Sequence, residues 1–241
     1  MTLFGEVILT SGIFLASLLS GMTGLAFPTV AGPLFLLSFA PTEAVMLTAL
    51  CSLTGQTVSF LSLRRTVPYV LRVQLVAGCI VGVPIGTSVL LVTSRHVVGI
   101  TIGVLIVLST AWWLLKPRVL VRAAHPLIEF FVGFAGGICG GMVGVSAAIP
   151  ALWCAICGLP KENQRALLQP YIVVAQLISG SLLWSYGGLD PIVMRLFAVL
   201  LAPIIAGSWL GAHIFRQFSN EVFVRAAMML TLIGGIVMVI G

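Results

Sequence analysis

The sequence predicts an all-α polytopic membrane protein. It should contain two inverted-topology repeats, each a re-entrant broken-helix hairpin plus three transmembrane helices. Three observations carry this. Of the 241 residues, 60% are hydrophobic and only 7% are charged. A soluble domain carries about 25% charged residues, so this chain could not cover a water-facing surface. Apolar runs near the ~20 residues that cross a bilayer recur along its whole length. Small and polar residues also recur at a nearly constant shift between the two halves.

The elements follow in order. Residues 3–39 are apolar but too long for one crossing, since a straight helix of that length would span roughly 55 Å. They are interrupted at 21–33, GMTGLAFPTVAGP, by the Gly and Pro residues that spoil a helix interior. Single spans are expected at 44–63, 73–93 and 97–115. Residues 127–159 repeat the first pattern, too long and interrupted at 136–150, GGICGGMVGVSAAIP. Spans at 166–186, 196–215 and 222–240 complete the chain. The expectation is one membrane domain, 1–241, with repeat one at about 3–116 and repeat two at about 126–241.

The repeat rests on four matches in the same order. Gly21-x-x-Gly24 returns as Gly141-x-x-Gly144, and Gln56 returns as Gln176, both at a shift of 120. Gly82-x-x-x-Gly86 returns as Gly207-x-x-x-Gly211 at 125, and Pro41-x-Glu43 as Pro160-x-Glu162 at 119.

Charge decides whether the broken segments cross or turn back. If both are hairpins, ten Lys and Arg, among them Arg72, Lys161 and Arg165, fall on one side, and Arg95 and Arg195 on the other. If both cross, the split is seven against five. Cytoplasmic loops are enriched in Lys and Arg, so hairpins are expected, with both termini outside the cytoplasm. Three crossings per half then invert the second half. Trp112 and Trp113 fall at a cytoplasmic helix end, and Trp184 with Tyr186 at an outer one, as interfacial aromatics do.

Other classes fit poorly. The net charge of +6 lies in short loops, which argues against a nucleic-acid partner. Met1–Glu6 lacks the basic start of a signal peptide. No Gly-rich phosphate loop ends in Lys-Ser/Thr, so an ATP-driven pump is not expected. Five scattered Cys are no disulfide framework.

The two breaks are the candidate site. Irregular backbone inside a membrane is tolerated where it is buried in protein or lines a wet cavity. Paired broken helices at the midplane are secondary-transporter architecture. At each tip a second half-helix begins, with free N–H groups and about half a positive charge. Pro28 suits its first turn and Ser146 an N-cap. Two such ends meeting suit a small anion. The expected substrate contacts are Thr23, Gly24, Leu25, Ala26 and Phe27 at the first tip, and Gly144, Val145, Ser146 and Ala147 at the second. Ser52 and Gln56 add to them from the stripe Thr48, Ser52, Gln56, Ser59, Ser62, and Gln176 from the stripe Gln169, Gln176, Ser179, Gly180. The alternative for these polar residues is helix-to-helix glue.

No Lys, Arg, Asp or Glu is expected deep in a span, which disfavours a carboxylate cation site. His213 is expected at an interface. Gly78-x-x-x-Gly82-x-x-x-Gly86 and Gly99-x-x-x-Gly103 suggest close helix packing. Residues 153–158, WCAICG, outline a redox motif. They keep a transmembrane thiol-reductant carrier using Cys154 and Cys157 as the alternative function.

These residues resemble the TauE/SafE family of sulfite exporters. Its two halves each open on a G-x-x-G-x-G-G-G type motif with a later Pro. Here the copies run from Gly21 to Pro28, with Pro33 following, and from Gly141 to Ala148, with Pro150 following. Gly158-Leu159-Pro160-Lys161 also resembles the family's second half, and the resemblance covers nearly the whole chain. It implies export of a small sulfur-containing anion such as sulfite or an organosulfonate, by a non-enzymatic protein of the bacterial inner membrane. The chain departs from the family at both glycine triplets, with Ala26-Phe27-Pro28 and Ser146-Ala147-Ala148 in their place. The expected partners are the anion and the lipid bilayer, with a coupling proton and a homodimer left open. No cofactor, metal or nucleic acid is expected.

Overall fold

The computed structural model describes residues 3–63, 72–115, 125–187 and 190–217. Among them the secondary structure is helical throughout. In order it comprises α1 (Leu3–Thr23), α2 (Phe27–Ser38), α3 (Pro41–Leu63), α4 (Val73–Val92), α5 (Arg95–Leu115), α6 (Pro126–Val143), α7 (Ala148–Ile156), α8 (Lys161–Ser185) and α9 (Pro191–Gln217). Five of these, α3, α4, α6, α8 and α9, are long and apolar enough to cross a membrane. The chain is a polytopic membrane protein. The expected span 222–240 and the side chains of Trp112 and Trp113 lie outside the described residues.

Both long segments break inside the expected stretches. Gly24, after α1, has φ 83°, and Gly144, after α6, has φ 78°. Both are left-handed, a conformation that glycine enters without a Cβ clash. Pro28 lies in the first turn of α2. Three helices begin earlier than the apolar pattern suggests, at Pro41, Lys161 and Pro191. A proline at or just before each start pre-sets the helical φ. Glu43 also accepts from the Ala40 N–H at 2.9 Å, and Asp190 from the Ile192 N–H at 2.8 Å, which satisfies donors that a helix start leaves open.

The halves interlock. The fourth helix of each packs on the first helix of the other, α4 on α6 and α9 on α1. Glycine sets both crossings. A Cβ on Gly82 or Gly86 would strike the carbonyl of Phe134 or Ile138. A Cβ on Gly207 or Gly211 would strike that of Phe14 or Leu18. At the shift of 120, Phe14 and Leu18 correspond to Phe134 and Ile138. The two crossings therefore use matching residues, and small side chains let the backbones approach without a hydrophobic driving force. Arg72, the N-cap of α4, also pairs with the buried Glu129 in the first turn of α6.

Two apolar clusters hold the tips. One is drawn mainly from α1, α2, α3 and α5, with further residues of α4, α8 and α9, Val143 at the end of α6, and Val145 from the second break. The other gathers α4, α7 and α8 with Ala147, and Leu25 from the first break packs against it. Each tip thus reaches into a cluster dominated by helices of the other half.

Candidate functional site

The site grows from two matched turns. After α1 the Gly24 N–H returns to the Ser20 carbonyl at 2.6 Å. After α6 the Gly144 N–H returns to the Gly140 carbonyl at 3.0 Å. Each glycine carbonyl then points at a glutamine. Gln56 Nε2 donates to Gly24 O at 2.8 Å, and Gln176 Nε2 donates to Gly144 O at 3.2 Å. Both glutamines are essentially inaccessible, at 1% and 2% exposure. The structure brings Gly24 together with Gln56, and Gly144 together with Gln176, at the residues that the repeat pairs.

The two tips engage α3 at different residues. Gly144 lies against Thr48 on α3, where a Cβ would sit 3.1 Å from Thr48 Cγ2, while Gly24 is held by Gln56. Those anchor residues are eight apart, about 12 Å of rise along α3. Ser52 lies midway between them. Helix α3 is crossed there by α8, and Gln169 Nε2 donates to the Gln56 carbonyl at 3.1 Å.

The predicted contacts fare differently. At the first tip, Thr23 Oγ1 donates to Leu19 O at 2.8 Å and accepts from the N–H groups of Leu25 and Ala26, so its bonding is spent within the turn. Ala26 is the N-cap of α2, and Phe27 is buried among the apolar side chains of the first cluster. At the second tip Val145 and Ala147 are buried and apolar. Ser146 is not the N-cap. Ala147 holds that place with helical φ and ψ, a geometry that offers no side-chain cap. The Ser146 hydroxyl is buried without a partner among the described residues, as are the Ser52, Ser179 and Ser208 hydroxyls and the Oε1 atoms of Gln56 and Gln169. A buried polar group left unmade costs about 1–3 kcal/mol. These orphans lie on α3, α8, α9 and the second tip.

Arg165 is not the solvent-facing loop cation that the charge count takes it for. The loop count places it among the cytoplasmic cations, yet it is 3% exposed on α8. Its guanidinium donates to Met22 O at 3.0 Å and Gly21 O at 2.8 Å, and its stem lies against Gly24. Helix α8 begins five residues earlier than expected, which turns a loop residue into a helical one. A signal for it exists in the sequence: Arg165, Gln169, Gln176 and Ser179 share one helical stripe.

The remaining expectations concern residues that make none of these bonds. His213 lies against Trp209, with ring centroids 4.3 Å apart and the rings tilted by 44°. Trp184 and Tyr186 are exposed at the end of α8. Cys154 is buried in the second cluster, and Cys157 follows α7 as a free thiol.

Fold and site define a multi-pass membrane protein with two broken helices whose turns are gripped by matched glutamines. The family model for the sulfite exporter TauE/SafE matches residues 9–238, and the chain belongs to that family. Searches of curated proteins and of solved structures found no match.

Proposed function

We propose that this protein is a secondary transporter that exports a small sulfur-containing anion, sulfite or an organosulfonate, by alternating access around the two tips. The family supports sulfur-anion transport as the class. The observation that carries the mechanism is the matched pair of bonds, Gln56 to Gly24 and Gln176 to Gly144, at two left-handed breaks. Around them lie buried hydroxyls of Ser52 and Ser146 without partners among the described residues, donors suited to an anion's oxygens. Tips anchored at different residues on one pair of crossing helices give a site that relative motion of the halves could open to either side.

The proposed setting is the cytoplasmic membrane with both termini outside. Taking the buried Arg165 out of the loop count still leaves nine cations against two. A negative-inside potential would favour export by about 2.3 kcal/mol per charge per 100 mV.

The test uses purified protein in liposomes on a solid-supported membrane, with exchange among sulfite, thiosulfate, taurine, sulfoacetate, sulfate and acetate. The reading expects charge movement for one or two of the sulfur anions, and none in Gly24→Val. Silence for all of them, together with no exchange of labelled sulfite, would overturn it.

A further inference from the structure

Helix dipoles alone do not make the first tip attract an anion. The break brings together the N-terminal end of α2, which is positive, and the C-terminal end of α1, which is negative. Side by side, the two half-charges largely cancel. Something must cover the carbonyl end of α1 before the N-terminal end of α2 can act.

Arg165 is placed to do this. Its two terminal nitrogens hold the Gly21 and Met22 carbonyls, which belong to the last turn of α1. Among the described residues, the buried charged side chains are Arg165 and Glu129, and Glu129 is paired with Arg72. Arginine stays charged at every relevant pH. The guanidinium also breaks the symmetry of the site. At the shift of 120, position 165 falls on Val45, and the group facing Gly144 is Thr48 rather than a cation. An independent observation points to a ligand between the two tips. Ser52, one turn before Gln56 on α3, carries a buried hydroxyl without a partner among the described residues.

We infer that Arg165 is the charge-selecting residue of the substrate site. It neutralises the carbonyl end of α1 and gives the first tip a net positive potential, so the substrate's negative charge is held there rather than at the second tip. This rests on the anion-transport reading above.

The experiment compares a dianion, sulfoacetate, with a monoanion, isethionate, in proteoliposomes bearing wild type, Arg165→Lys or Arg165→Gln. The readout is the ratio of the two KM values. A unit charge about 8 Å away at an effective dielectric near 20 changes the binding of each extra charge by about 30-fold. Arg165→Gln should therefore lose about 30-fold of the wild-type preference for the dianion, and Arg165→Lys should keep it within about 3-fold. A purely structural clamp would fail in both variants and would move both KM values together. If Arg165→Gln does not yield folded protein by thermal melting, Arg165→Lys decides: a kept preference supports the assignment and a lost one overturns it. Wild-type flux with an unchanged preference in Arg165→Gln overturns the assignment alone. No wild-type flux of either anion overturns the transport reading and the assignment with it.

Discussion

Gln56 donates to the carbonyl of Gly24 across 32 residues of chain, at 2.8 Å, in a place that water does not reach. The second half repeats the bond from Gln176 to Gly144, again across 32 residues. One span of each half thereby fixes the turn of its own broken helix. Replacing Gln56 or Gln176 by Leu leaves a buried glycine carbonyl unpaired, at a cost of about 1–3 kcal/mol. Thermal melting in detergent should show both variants less stable than wild type, with substrate KM raised. Unchanged melting in both would mean that the bonds do not hold the turns.

The left-handed turns set a second expectation. A Cβ at Gly24 would lie 3.3 Å from Arg165 Cγ, and one at Gly144 would lie 3.1 Å from Thr48 Cγ2. The positive φ adds about 1–2 kcal/mol for an L-residue, and β-branching makes it worse. Gly24→Val and Gly144→Val should insert into the membrane but lose transport. Gly→Ala at either site should lose less. Membrane fractionation and flux measured side by side check this.

Close backbone approach makes the helix crossings intolerant. Gly82→Leu and Gly211→Leu drive a side chain into the opposing main chain. Overpacking typically costs about 1–3 kcal/mol, and more where backbone must move. Both variants should elute as aggregated or unfolded material on size exclusion. Val81→Leu, on the exposed face of the same helix, should behave as wild type.

Glu129 predicts a non-additive pair. Arg72→Met strands a buried carboxylate, whereas Arg72→Met with Glu129→Gln removes the stranded charge as well. The single variant should be less stable than the double by about 1–3 kcal/mol. A double-mutant cycle in denaturant measures the difference.

The cysteines provide a negative control. Cys154 is packed in the apolar cluster of α4, α7 and α8, with no part in the bonds that grip the turns. Cys154→Ser with Cys157→Ser should retain anion flux. Loss of flux in folded protein would favour a thiol-reductant carrier.

Much of this architecture is written in local chemistry. Gly24 and Gly144 stand out because glycine and proline inside an apolar run have few other uses, and the recurrence of Gln56 as Gln176 already marks the pair that grips them. Arg165 does not stand out in that way. The stripe it shares with Gln169 and Gln176 puts it on a polar helix face, but only the packing of α8 against the first tip shows that its guanidinium folds onto carbonyls. Ser146 misleads for a related reason. Gly144 exits α6 in the left-handed conformation, and the chain needs Ala147 in a helical conformation to enter α7, so the hydroxyl arrives one residue too early to cap it. The spacing of the tips' anchor residues along α3 is likewise a product of helix crossing, which no local pattern encodes.

Exchange of labelled sulfite across liposomes tests the central claim most directly, with wild type, Gly24→Val and Gly144→Val compared at equal protein incorporation. Sulfite exchange by wild type, lost in both variants, is the predicted result. Equal exchange in all three would contradict a substrate path built on the two turns.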